Sequence, residues 1–296
     1  MYKLITPYAS DFGPRRGGAS RPNVVIKHFP DTESYVFIPK VASLKNKKVT
    51  IYHRLFPEPD KRLFELVLIL SRVVKETKQV ELLVPYLPYA RQDKEHEPGD
   101  VVSADVLCGL LKTYGVKKLI TYDCHFLPKP GNFVRGGLKI ENRSAGKQLL
   151  AYAKKYFAKG KIREKFIVIS PDQGSSYFVQ NAEGYAMHKK RKRTNKNDIK
   201  TEVHMENKLN ELMDVKGKNI CILDDIIATG GTIRRAAEHL KARGAKKIIV
   251  GAVHGVFCGD NIAEKILKSS CDEIFTTNAV INNSNQNVKI LKLKLV

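Results

Sequence analysis

The residues best equipped for chemistry lie at 223–232, in the order LDDIIATGGT. An apolar run, Asn219–Leu223, delivers two adjacent carboxylates, Asp224 and Asp225. A short loop, Ala228, Thr229, Gly230, Gly231 and Thr232, then opens a helical segment. Such a loop turns several backbone N–H groups toward one point, and the helix N-terminus adds positive potential, so the pair makes a cradle for a phosphate. Gly230 and Gly231 allow a close backbone approach, and Thr229 and Thr232 offer hydroxyl donors. Asp224 and Asp225 are placed to accept hydrogen bonds from sugar hydroxyls or to hold a cation. No GxxxxGK[ST] sequence occurs, so this is not the phosphate loop of the common nucleotide hydrolases. The plainer alternative is an ordinary strand–turn–helix junction.

Five further segments carry candidate ligands. Within Pro85–Asp93 (PYLPYARQD), Arg91 and Gln92 offer donors for phosphate oxygens or a base edge, with Asp93 beside them. Alone, RQD also fits a surface turn. His125 follows an apolar run in Asp123–His125 (DCH), where open α/β sheets usually meet their ligands. Asp172 stands in the turn SPDQG. Asp31 and Glu33 flank Thr32 after Phe29 in FPDTESYV, which also reads as a solvated turn. Finally, Lys189–Lys200 (KKRKRTNKNDIK) opens with five basic residues and has no apolar face, so it is expected as a mobile excursion.

Positioning these residues requires strands that end near one another. Val80–Tyr86, Lys118–Tyr122, Lys165–Ser170, Asn219–Leu223 and Lys247–Val253 read as buried strands, because their apolar residues run on rather than alternate. Ser103–Tyr114 and Ile233–Arg243 have helical spacing, with Ser103 as expected N-cap and Gly115 and Gly244 as stops. LKTYGVKKLITYD at 111–123 echoes LKARGAKKIIVGA at 240–252, which fits two similar α/β halves. The division is expected near Ile140–Ser144, giving domains 1–142 and 143–296.

With 296 residues, the chain has room for two such domains. Fifty-two Lys and Arg against 30 Asp and Glu leave a formal charge of +22, which favours anionic partners without choosing among them. No stretch reaches the roughly 18 apolar residues of a membrane span. The N-terminal residues have no signal-peptide pattern, and five scattered cysteines without a CxxC pair fit reduced thiols. A cytoplasmic location is expected.

As a set, these segments resemble the ribose-phosphate pyrophosphokinase family, which makes phosphoribosyl pyrophosphate (PRPP) from ATP and ribose 5-phosphate. LDDIIATGGT is similar to the PRPP loop shared with type I phosphoribosyltransferases. PYARQD, the Phe29 loop, DCH and SPDQG resemble elements of the pyrophosphokinases, in the family's order. The resemblance implies two tandem type I phosphoribosyltransferase-like α/β domains, each a mainly parallel sheet flanked by helices. It implies that Phe29, Asp31, Thr32, Glu33, Arg91, Gln92 and Asp93 hold ATP. Asp224, Asp225 and Ala228–Thr232 would hold ribose 5-phosphate, with Arg191 shared between that site and catalysis. Lys189 and Arg191 would close over the phosphates, and His125 and Asp172 would serve Mg2+. A homo-oligomer, dimer or hexamer, is implied because the Phe29 loop reaches a neighbouring subunit's nucleotide.

The chain departs from the family pattern at four places, one being Ser175, which follows SPDQG where the family often has a small apolar residue or Gly. Ala228 stands where many relatives have aspartate, Thr32 replaces a usual glycine, and Asp11–Arg21 is short and rich in Gly and Arg where relatives have an amphipathic helix. A PRPP-consuming phosphoribosyltransferase would explain the 224–232 loop but leaves PYARQD and the Phe29 loop unused. A non-catalytic regulatory paralogue fits Ala228 and the altered start. A nucleic-acid module is supported by charge alone and is not expected.

Overall fold

The computed structural model describes residues 1–12, 21–159, 162–171, 185–195, 198–206, 214–281 and 287–293, with 159, 162–163, 185–195 and 198–206 as backbone only. The chain divides into two compact units, Met1–Ser144 with Leu293–Val296, and Ala145–Lys292. Each is a mainly parallel sheet flanked by helices, as the unbroken apolar runs predict. No helix among the described residues is long and apolar enough to cross a membrane.

In the first unit the strands are β1 (Tyr2–Ile5), β2 (Val25–His28), β3 (Ser34–Phe37), β4 (Val49–Tyr52), β5 (Val80–Leu83), β6 (Val116–Tyr122), β7 (Gly131–Arg135) and β8 (Leu138–Arg143). Six of them form a sheet in the order β1-β4-β5-β6-β8-β7, parallel except for the antiparallel pair β7–β8. β2 and β3 form a separate antiparallel hairpin. Helices α1 (Pro59–Val73) and α2 (Ser103–Thr113) pack against this framework. Along α1, Leu66, Ile69, Leu70 and Val73 recur at i, i+3, i+4 and i+7 and are fully buried with Ile51, Leu82 and Leu119 of the sheet. Each such side chain stabilises the unit by roughly 1.5–3 kcal/mol.

In the second unit, α3 (Gly146–Tyr156) is followed by β9 (Ala158–Lys159), β10 (Ile162–Arg163), β11 (Phe166–Ser170), β12 (Tyr185–Asn195), β13 (Asp198–Glu206) and β14 (Asn219–Ile227). Then come α4 (Gly231–Ala242), β15 (Lys247–Gly255), α5 (Ile262–Lys268), β16 (Glu273–Thr277) and β17 (Val288–Leu291). The seven-stranded sheet runs β13-β12-β11-β14-β15-β16-β17, with only the β12–β13 pair antiparallel. Ile220, Ile222, Ile248 and Val250 of its central strands pack with Ala236, Ala237 and Leu240 of α4.

The internal echo has a structural counterpart. Gly115 after α2 and Gly244 after α4 have φ of +87° and +85°, and their N–H groups bond to the carbonyls of Lys112 and Lys241. Each then starts a central strand. Only glycine takes this left-handed helix exit without strain.

Several expectations are corrected. Ser103 is the first helical residue of α2 rather than its N-cap, and its hydroxyl donates instead to Gln92 Oε1 at 2.5 Å. The Gly-rich segment 131–137, just before the expected division, builds most of the β7–β8 hairpin that completes the first sheet. The basic run is not an irregular loop. Lys189 and Arg191 lie on β12, opposite Val203 and Thr201 of β13. Antiparallel backbone pairing satisfies the amides of such a strand without an apolar face.

Near the start of the chain a 3-10 segment, Pro7–Phe12, is pinned by Arg54, while most of Asp11–Arg21 lies outside the described residues. The buried guanidinium forks onto Asp11 at 2.5 and 2.9 Å, donates to the Tyr8 carbonyl at 2.6 Å and lies 3.8 Å over the Phe12 ring. Neighbouring His53 is wholly buried, with Nδ1 3.2 Å from Thr6 Oγ1 and Nε2 3.0 Å from the Arg62 carbonyl. Burial lowers its pKa from 6.5 to about 4. Between those values the unfolded chain binds the proton that the folded chain refuses, so stability present above pH 6.5 is lost as pH falls toward 4. The loss attributable to His53 is on the order of 3 kcal/mol. Urea midpoints measured from pH 7 to pH 4 should fall less steeply in His53→Gln than in the parent; equal slopes would refute the assignment.

Candidate active site

In the second unit the site is built on β14, held between β11 and β15. β14 runs past the expected end at Leu223 to Ile227, so the acidic pair belongs to the strand itself. Asp224 and Asp225 are only 6% and 7% exposed. Each Oδ1 accepts the next residue's N–H, from Asp225 at 2.9 Å and from Ile226 at 2.8 Å. These local bonds hold the carboxylates at the strand's C-terminal end, the usual ligand edge of a parallel sheet.

The loop after β14 is anchored from behind. The N–H groups of Val256 and Phe257 bond to the Ile227 carbonyl, and that of Cys258 bonds to the Ala228 carbonyl at 3.0 Å. Ala228 therefore serves the loop through its main chain, which an aspartate there would serve equally. Thr229 is exposed at the tip. Gly230 is the N-cap of α4 with φ +72°, and a Cβ there would lie 2.9 Å from Ile266 Cδ1. Gly231 differs: a Cβ there would meet nothing closer than 3.7 Å, so the fold has room for a side chain. What its bare backbone keeps open is the space before the helix N-terminus. The first turn of α4 contains no acidic residue to repel an anion.

Arg235 was not foreseen from the sequence. Its guanidinium nitrogens lie 3.7 and 3.8 Å from the Cβ position of Gly231, directly over the helix start. The signal was its i+4 spacing from Gly231: helical side chains lean toward the N-terminus, so an arginine one turn inside covers the opening.

In the first unit, β5 and β6 are parallel neighbours, and their C-terminal extensions stay together. Thr121 Oγ1 donates to the Pro85 carbonyl at 3.1 Å, and the Tyr122 N–H donates to the same oxygen. Segment 84–102 and the turn after β6 thus leave from one edge. Gln92 is tied to α2 through Ser103 and through the Ala104 N–H, which donates to its carbonyl at 3.2 Å. Arg91 is exposed. The strand β6 ends at Tyr122, so His125 lies in a turn beyond it rather than on the strand. Asp123 is fully buried with φ +40° and its N–H bonds the Arg143 carbonyl, while His125 is exposed. The turn is fixed by Asn142, whose Oδ1 accepts the Cys124 N–H at 3.0 Å.

The Phe29 tip closes the β2–β3 hairpin. Thr32 has φ +74°, a left-handed conformation that favours glycine, and the turn persists through the Phe29 N–H bond to the Glu33 carbonyl and the Thr32 N–H bond to the Phe29 carbonyl. Phe29, Asp31, Thr32 and Glu33 are exposed. Flanking His28 and Ser34 both donate to buried Glu65 Oε1 of α1, at 2.9 and 3.3 Å. The structure thus brings Arg91, Gln92, Asp93 and His125 to one edge and Asp224–Thr232 to another, while the hairpin carrying Phe29 is tied to α1. Asp172 lies outside the described residues.

Two domain families match the chain: the N-terminal domain of ribose phosphate pyrophosphokinase over residues 15–115 and the phosphoribosyl synthetase-associated domain over 150–296. It is 32% identical over 270 residues to the ribose-phosphate pyrophosphokinase of Sulfurisphaera tokodaii, covering 88% of this chain and 86% of that protein. The pyrophosphokinase of Pyrococcus furiosus is 33% identical over 268 residues, 87% of this chain and 86% of its own. The chain belongs to the ribose-phosphate pyrophosphokinase family. The fold agrees: phosphoribosylpyrophosphate synthetase from Mycobacterium smegmatis superposes with a TM-score of 0.77 at 23% identity, over 99% of this chain and 95% of that one.

No three His, Cys, Asp or Glu side chains converge as a metal cluster among the described residues. An ion bound largely by substrate oxygens needs only one or two protein ligands. Exposed His125 at the ligand edge fits that mode.

The two loop glycines should respond oppositely to substitution. Gly230→Ala adds a strained φ and a clash with Ile266, which should cost about 1–3 kcal/mol in urea unfolding. Gly231→Ala should be close to neutral, because alanine is tolerated in a helical first turn. A destabilised Gly231→Ala alongside an unaffected Gly230→Ala would overturn the local geometry.

Proposed function

We propose that this protein catalyses pyrophosphoryl transfer from ATP to the 1-hydroxyl of ribose 5-phosphate, giving PRPP and AMP. The observation that carries the reading is the acidic strand end and bare-backbone cradle of 224–232, in a chain of the pyrophosphokinase family. In this reaction the anomeric oxygen attacks the β-phosphorus, the bond from that phosphorus to the oxygen bridging to the α-phosphorus breaks, and AMP leaves with the electron pair. The hydroxyl proton goes to solvent. Such chemistry asks a protein mainly to position reacting oxygens and offset charge.

Each group has a role on this reading. The amides of 229–232, with the Thr229 and Thr232 hydroxyls and the Arg235 guanidinium, bind the 5-phosphate. Asp224 and Asp225 accept the ribose hydroxyls and set the sugar's orientation. Arg91, Gln92, Asp93 and the exposed Phe29 tip bind ATP, the tip acting on a neighbouring subunit's nucleotide in a homo-oligomer. Lys189 and Arg191 offset charge as the transferred group moves, and Arg191 also meets the sugar phosphate. Mg2+, held by His125 and Asp172 together with ATP oxygens, would neutralise polyphosphate charge. A cytoplasmic location fits these substrates.

Incubation with ATP, Mg2+ and ribose 5-phosphate should yield AMP and PRPP in equal amounts; absence of both would favour a non-catalytic paralogue. Asp224→Asn and Asp225→Asn should weaken ribose 5-phosphate and spare ATP, measured as separate KM values. Gly231→Ala should fold normally yet lose ribose 5-phosphate affinity. Lys189→Ala and Arg191→Ala should lower kcat by about 10²–10³-fold with a smaller change in KM for ATP, as for a group acting mainly at the transition state. Normal kcat in both variants would remove the basic strand from catalysis.

A further inference from the structure

We propose that Arg135 is a positioning residue that couples the nucleotide segment 91–93 to the His125 turn, with the β7–β8 hairpin as its mount. The inference rests on the reading that those two segments serve ATP and its metal. Arg135 is the last residue of β7, and its side chain is 19% exposed. Its Nε donates to Asp105 Oδ1 at 2.6 Å, and Nη2 donates to the Asp93 carbonyl at 2.5 Å. Its guanidinium carbon stands 4.4 Å from the centre of the Phe126 ring. Asp93 ends the Arg91–Gln92–Asp93 series, Phe126 directly follows His125, and Asp105 lies in the first turn of α2. One planar cation therefore joins three segments, two of which carry the candidate ATP and metal ligands. The arrangement needs the fork and flat face of arginine, because a lysine ammonium has neither the planar donors nor a stacking surface.

The hairpin is placed so that this reach is short. Gly136 and Gly137 form a two-residue turn with φ of +53° and +71°, between paired Arg135 and Leu138. A Cβ on Gly136 would lie 2.9 Å from the Gly109 nitrogen, 3.0 Å from the Asp105 carbonyl oxygen and 3.1 Å from Cys108 Cβ. The turn therefore rests on the backbone of α2, and Gly109 opposite it has no side chain either. Direct backbone contact delivers the preceding residue to Asp105 and, beyond it, to Asp93. Gln92 is already tied to α2 by Ser103, so Arg135 secures the next peptide and leaves Arg91 exposed for ligand.

The test is steady-state kinetics on Arg135→Ala and Arg135→Lys, varying ATP, Mg2+ and ribose 5-phosphate separately, with Arg91→Ala as reference. Arg135→Ala should raise KM for ATP and the Mg2+ concentration for half-maximal rate by about tenfold each, the usual scale for a group that orients ligands. KM for ribose 5-phosphate should stay at the parent value. Arg135→Lys keeps the ion pair with Asp105 and should fall between parent and alanine; it carries the test if the alanine variant does not fold. Equal weakening of both substrates, or a loss of stability with unchanged KM values, would mean a structural strut and overturn the proposal. If Arg91→Ala weakens ATP and neither Arg135 variant does, the coupling is wrong while the ATP assignment stands. If Arg91→Ala leaves ATP unaffected, the ATP assignment itself fails.

Discussion

Parallel backbone pairing is the constraint from which the rest follows. An interior parallel strand has neighbours on both sides and cover on both faces, so its sequence becomes an apolar run and polar residues are driven toward its ends. β14 shows the result: Ile220, Ile222 and Leu223 are fully buried, and the chain turns polar only at Asp224 and Asp225. The same pairing sets β5 beside β6 in the first unit, which is why 84–102 and the His125 turn emerge together. Functional groups collect at these edges because the sheet interior has no place for them.

What the strands deliver, local polar contacts then aim. The carboxylates of the acidic pair are oriented by the next residues' amides, and Asn142 fixes the turn that carries His125. Buried Glu65 gathers both strands of the β2–β3 hairpin beneath the Phe29 tip, with one carboxylate oxygen accepting from His28, Ser34 and Tyr8. Its other oxygen is buried without a hydrogen-bond partner. Desolvation and this carboxylate together push the Tyr8 hydroxyl pKa up to about 12, so the tyrosine stays a donor throughout the physiological range. Such contacts are individually modest, yet each removes a rotamer choice that a ligand would otherwise have to settle on binding.

The sequence made the framework and the phosphate loop legible, because both are written in neighbouring residues. Continuous apolar runs marked β6, β11, β14 and β15, and Gly115 and Gly244 marked the helix ends. Less visible was anything settled by distant partners. Ser103 reads as an N-cap until Gln92 is seen to take its hydroxyl. Nothing local shows that Gly136 is required by close packing on α2. The basic run hides a strand because pairing with 198–206 satisfies its amides without any alternation of apolar residues. Arg135 gives no local sign at all, since Asp93, Asp105 and Phe126 come from three other segments.

The two halves use one architectural position in opposite ways. After β14 the chain needs only 228–230 to reach its helix, with Ala228 tied to the segment after β15 and Gly230 hemmed in by Ile262 and Ile266. After β5 it wanders through 84–102 before α2 begins, mostly in solvent. Evolutionary freedom is therefore unequal. The short connection has little latitude for change, so the strand end that carries 224–232 should be nearly immutable across descendants of this scaffold. The long one can lengthen, shorten or alter its outer residues at 94–101 without disturbing the core, so new features at that edge would arise there first.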